Sequence, residues 1–129
     1  MENLLEEWFE EKKRLKESTG DIPLISEGDI WWISFGENIG FEINGKSHYF
    51  SRPAVIHKKF TPYFFLVIPT TTKPKNGTWY VQINHGGTDM FVCLHQARAV
   101  DYRRFNSRMG TINPIDKDRV RLGLLKLIG

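Results

Sequence analysis

From Gly28 to Ile112 the chain is a succession of short apolar runs broken by turn signals, and no other feature narrows its fold as much. Ile30-Trp31-Trp32-Ile33-Ser34-Phe35 is apolar at odd and even positions alike, so it reads as a strand buried on both faces. A glycine-containing loop, 36–51, leads to two further strands, Ala54 to Phe60 and Tyr63 to Ile68, joined around Thr61-Pro62. Thr70 to Gly77 reads as a polar loop. Thr78 to Ile83 alternates as a strand, Asn84-His85-Gly86-Gly87 turns it back, and Met90 to His95 alternates again. Short strands at this spacing predict a small β barrel over residues 28–112.

Helical periodicity flanks that region on both sides. Leu4, Leu5, Trp8, Phe9 and Leu15 fall at helical spacing within 2–17, with Glu and Lys on the other faces. Ser18-Thr19-Gly20 end this helix, and Pro23 keeps it from resuming. Near the C-terminus, Asn113 is a ready N-cap, Pro114 a favoured first helical residue, and Asp116 and Asp118 suit the first turn. Val120, Leu124, Leu127 and Ile128 share one face of that helix, 114–128. The expectation is a single domain over 1–129, mainly β, with one helix before the barrel and one after it.

Charge is unevenly shared along this frame. Residues 1–30 hold 4 Lys/Arg against 9 Asp/Glu, whereas the remainder holds 14 against 6, so an acidic head precedes a basic body. A basic body carrying 4 Trp, 4 Tyr and 9 Phe suits a polyanion such as RNA or single-stranded DNA, although a solvated surface accounts for the charge equally. No apolar run approaches the roughly 20 residues of a membrane-spanning helix, and the N-terminus lacks the basic start and apolar core of a secretion signal. The single cysteine, Cys93, excludes an intrachain disulfide, so the reducing cytoplasm is the expected compartment. Cys93 and His95 would share a strand face with His85 across a turn. Without a CxxC, HExxH or carboxylate cluster they read as a buried thiol and a partly exposed imidazole, and neither metal nor cofactor is expected.

The most informative segments are Gly28-Asp29-Ile30-Trp31-Trp32, Gly40-Phe41-Glu42, Arg52-Pro53-Ala54-Val55-Ile56, Ile68-Pro69-Thr70-Thr71-Thr72, Gln96-Ala97-Arg98-Ala99-Val100-Asp101 and Gly110-Thr111-Ile112. In this order, over about residues 28–128, they resemble the MazF/PemK family of bacterial toxin endoribonucleases. The resemblance implies an SH3-like barrel that pairs as a homodimer. It implies cleavage of single-stranded RNA at short motifs without metal, leaving 2′,3′-cyclic phosphate and 5′-hydroxyl ends. A cognate antitoxin with an acidic, extended tail is the implied partner. By position, the family's catalytic arginine, hydroxyl residue and loop glutamate correspond to Arg52, Thr71 and Glu42.

The chemistry of those residues can be examined separately. Attack by a 2′-hydroxyl needs a proton acceptor, a donor for the departing 5′-oxygen, and donors around the phosphorane. Arg52 offers a planar fork suited to phosphate oxygens, and Thr71 a hydroxyl. A guanidinium is a poor base at neutral pH, so Glu42 ranks first as base and His48 second. The loop from Asn44 to Phe50 separates Glu42 from Arg52, and Ile43 stands where the family commonly has Gln. Tyr49 in that loop is a candidate base-stacking residue. Lys58, Lys73, Lys75, Thr70 and Thr72 are further candidates for RNA contact in the same groove. Arg98 is read as holding the barrel or a dimer together, and Arg103, Arg104 and Arg108 as surface. The same scaffold suits two other functions: a toxin that binds DNA gyrase and cuts nothing, and a catalytically silent RNA-binding relative.

Overall fold

The computed structural model describes residues 22–36 and 51–129. The expected N-terminal helix, together with Glu42, His48 and Tyr49, lies outside the described residues. The described chain forms seven strands: β1 (Asp29–Ser34), β2 (Ser51–Thr61), β3 (Phe64–Thr71), β4 (Tyr80–His85), β5 (Thr88–Cys93), β6 (Arg98–Asp101) and β7 (Phe105–Thr111). Two single-turn 3-10 helices, Leu94–Gln96 and Tyr102–Arg104, flank β6, and α1 (Pro114–Ile128) closes the chain. The strands run in the order β4-β5-β3-β2-β1-β7, and β6 pairs with the first half of β3.

The mainly-β expectation with a C-terminal helix holds. The double-sided apolar pattern of β1 to β3 has a direct consequence in packing, since alternate residues enter two separate cores. Trp31, Ile33, Ala54, Ile56, Phe65 and Val67 fill one core with Val100, Tyr102 and Phe105. Ile30, Val55 and Ile68 fill the other with Val92, Leu94, Val120 and Leu124. Burying a large apolar side chain contributes about 1.5–3 kcal/mol, so each central strand stabilises both layers.

Among the described residues no ladder joins β4 to β7, so the hydrogen-bonded sheet is not closed. The two strands nevertheless meet through His85 and Gly110. A Cβ added at Gly110 would run into the His85 ring, so a side chain there would displace the imidazole from its seat. Gly123 plays the same part under α1, where a Cβ would come within 2.7 Å of Leu94 Cδ1.

The predicted cap of α1 forms: Asn113 Oδ1 accepts from Asp116 N at 2.8 Å, with Pro114 in the first turn. Asp116 in turn binds Arg119 Nη1 at 2.9 Å, and the same nitrogen donates to Gln82 O at 2.7 Å, tying α1 to β4. Only Val120 and Leu124 of the predicted apolar face are buried. Leu127 and Ile128 are exposed. The first strand of the second hairpin begins at Tyr80 rather than Thr78, and its partner ends at Cys93, with His95 on the turn that follows. No helix among the described residues is long and apolar enough to cross a membrane.

Candidate functional site

β2 enters the sheet at Ser51 and β3 leaves it at Thr71, so both reach the same end. Their ladder pairs Val55 with Ile68 and Ala54 with Pro69. One antiparallel step further brings Pro53 opposite Thr70, whose hydroxyl donates to Pro53 O at 2.8 Å. The ladder itself ends at the pair of Ala54 and Pro69, and continuing its register one step beyond Pro53 would bring Arg52 level with Thr71 at the same sheet end. Alternation places both on the face that also carries Cys93 and Phe91, since Thr71 pairs with Phe91 across β5.

Arg52 is only 8% exposed. Burial pushes its guanidinium below the ordinary arginine range. Burial likewise pushes the Cys93 thiol up to about 11, against the pull of Arg52 and Lys75. Cys93 is therefore a neutral packing group at physiological pH and not a nucleophile. The three consecutive threonines have three different fates. Thr70 is 1% exposed with its proton spent on Pro53, so it is not a contact for an external ligand. Thr71 Oγ1 accepts from Lys73 N at 3.2 Å, which leaves its own proton to donate outward. Thr72 is exposed on the loop, with Lys73 and Lys75 after it.

Lys58 does not join this group. It lies six residues along β2 from Arg52, roughly 20 Å of extended strand, and its Nζ is 3.9 Å from Glu27 Oε2. There it borders a recess with His57, Lys117 and Arg121. His57 is held below its ordinary 6.5 by burial first and by those cations second, with Glu27 opposing.

The arginines of the C-terminal half are all engaged within the chain. Arg98 lies over the Phe35 ring at 5.6 Å, and Arg103 binds Asp101 at 3.1 Å. Arg104 Nη1 reaches Ser34 O at 3.4 Å. Arg108 Nε is 3.4 Å from Asp29 Oδ1, while Asp29 Oδ2 accepts from Ser26 N and Trp31 Nε1 at 3.0 and 3.2 Å.

A second polar group occupies the other face of the same sheet end. On β1, Trp32 pairs with Ser107 and Ile33 with Phe105, so Asn106 is the extra residue of a β-bulge. Its Nδ2 donates to Ser34 Oγ at 2.9 Å and to Ser51 Oγ at 3.0 Å. Trp32, Ser51, Asn106 and Ser107 line an open recess of about 480 Å³. None of these was singled out as a site residue from the sequence.

A family model described as PemK-like, MazF-like toxin of type II toxin–antitoxin system matches residues 26–128. No curated protein matches the chain in sequence. Among solved structures, MazF from Deinococcus radiodurans superposes with a TM-score of 0.69 at 22% identity, over 85% of this chain and 99% of that one. An endoribonuclease in complex with its cognate antitoxin from a mycobacterial species follows at 0.64 and 13%, over 83% and 95%. A MazE–MazF complex from D. radiodurans gives 0.63 and 20%, over 85% and 98%. The fold is MazF-like.

Proposed function

Because the chain belongs to the PemK-like, MazF-like toxin family of type II toxin–antitoxin systems, we propose that it is a sequence-selective, metal-independent endoribonuclease acting on single-stranded RNA. On this reading the toxin is a cytoplasmic single-domain protein that works as a homodimer. A cognate antitoxin with an acidic tail holds it inactive. The open sheet is then an SH3-like barrel whose seam is the contact between His85 and Gly110.

The observation that supports this reading is that Arg52 and Thr71 lie at the same end of β2 and β3, where continuing the strand register would bring them level. In the reaction, the 2′-oxygen attacks phosphorus and the bond to the 5′-oxygen breaks, giving a cyclic phosphate and a 5′-hydroxyl. A base takes the 2′-proton, and the departing 5′-oxygen gains one. The Arg52 fork binds the non-bridging oxygens where charge grows. Its burial strengthens that attraction by excluding water. Thr71, with its oxygen already accepting from Lys73 N, donates to the same phosphate. Lys73 and Lys75 attract the backbone on either side. Glu42 is the first candidate for the base and His48 the second.

Incubating the purified protein with a long unstructured RNA in excess EDTA, beside Arg52→Ala, tests this. The expected result is discrete cuts with cyclic-phosphate ends, absent in the variant. Intact RNA from folded, antitoxin-free protein overturns the nuclease reading.

A further inference from the structure

The bulge at Asn106 gives this sheet end a second recognition element, which deepens the nuclease reading above and rests on it. An inserted residue in an antiparallel pair bends its strand and re-aims its side chain. Here the re-aimed amide spans from β7 across β1 to the start of β2, with one proton on Ser34 Oγ and the other on Ser51 Oγ. Both donors of Asn106 are thereby spent inside the protein. Its carbonyl oxygen is the remaining group on an exposed side chain, and among the described residues it has no partner.

Trp32 stands in the same recess and is 39% exposed, unlike its neighbour Trp31, which is buried at 6%. An exposed indole beside a fixed amide carbonyl is the pairing that recognises an unpaired base: the ring supplies a stacking wall and the oxygen an acceptor at the base edge. The recess also lies where the scissile nucleotide would need a neighbour. Ser51 and Arg52 are consecutive, so the recess and the Arg52–Thr71 face back onto each other around one strand end. A single strand passing round that end offers a phosphate to one face and the flanking base to the other.

We propose that Asn106 is a specificity-determining residue, accepting from the exocyclic amine of an unpaired adenine or cytosine stacked on Trp32. Guanine O6 and uracil O4 stand where adenine and cytosine carry that amine, so a base docked in the same orientation meets the Asn106 oxygen acceptor to acceptor, guanine's own amine lying at the other end of the edge. The hydroxyls of Ser34 and Ser51 are positioning groups that keep the amide from flipping.

The test is sequencing of the cuts made in a randomised RNA pool by the wild type, Asn106→Ala and Asn106→Asp, each checked for an unchanged melting transition. The wild type is expected to prefer A or C at one position beside the cut. Asn106→Ala is expected to lose about tenfold of that preference at that position alone. Asn106→Asp keeps an outward acceptor, so it should retain the preference while cutting more slowly overall, because its charge repels the backbone. An unchanged base distribution in Asn106→Ala overturns the proposal and leaves the nuclease reading standing. Should the wild type leave RNA intact, the nuclease reading fails by itself. Titration with short oligoadenylate and oligouridylate then decides the recess: tighter oligoadenylate binding that Asn106→Ala abolishes supports it, and equal binding overturns it.

Discussion

The two ends of β2 each present a cation, and the surroundings of the two are opposite. Arg52 is buried at the sheet end that Thr71 shares, near the neutral Cys93 thiol. Lys58 is mostly solvated beside Glu27, among His57, Lys117 and Arg121. Burying a charge is costly and is tolerated where the fold or a ligand compensates for it. A solvated cation in a mixed cluster carries no such cost, and a surface pair of that kind contributes about 0–1 kcal/mol. The contrast teaches that the burial of a cation, not its presence on a strand, distinguishes the candidate site from the rest of a basic surface.

Six substitutions would break or sharpen that contrast. Arg52→Ala should lower single-turnover RNA cleavage by about 10²–10³, and Arg52→Lys should fail to restore it, since a point charge lacks the planar fork. Next come the paired threonines. Thr71→Val should cut cleavage by about tenfold with an unchanged urea midpoint. Thr70→Val should leave the rate intact and lose about 1 kcal/mol of stability, because the Pro53 carbonyl loses its donor.

The far end of β2 should respond to pH. The folded His57 is held below 6.5, so the native state binds fewer protons than the unfolded chain, and stability falls as the pH drops below about 6.5. His57→Gln should flatten that decline in urea titrations at stepped pH, without touching cleavage at neutral pH. The smallest effect belongs to Lys58→Ala, whose cleavage rate should stay within about twofold of the wild type. A large loss there would erase the distinction between the two ends.

Sequence legibility followed the same division. Strands β1 to β3 were readable because Ile30 to Phe35, Ala54 to Phe60 and Tyr63 to Ile68 are dense in residues that pack on a pleated surface. The start of α1 was readable because Asn113-Pro114 has a local cause. β6 and β7 gave no such signal. Arg98-Ala99-Val100-Asp101 is short, and Phe105 to Thr111 carries Asn, Ser, Arg and Gly with bulges at Asn106 and Met109 that spoil its alternation. Periodicity puts Leu127 and Ile128 on one face with Val120 and Leu124, but it carries no information about how far along the helix that face is covered.

In the candidate site, Arg52 and Thr71 stood out by family position, yet their sharing one sheet end comes from the β2–β3 register, which spacing along the chain does not encode. The same register separates Lys58 from them. Thr70 and Thr71 are chemically identical in the sequence, and only the pleat decides which hydroxyl is spent on Pro53. Asn106 was invisible for a similar reason: a bulge is defined by two strands at once.

The contact of His85 with Gly110 links β4 and β7, which stand at opposite ends of the hydrogen-bonded order. A side-chain seat has no ladder to share its load, so opening it breaks packing without breaking a row of backbone bonds. Parting at this seam therefore disturbs side-chain packing alone. Amide protons along the outer edges of β4 and β7 have no ladder partner among the described residues and should exchange quickly with deuterated solvent, whereas those between β2 and β3 wait for much larger openings.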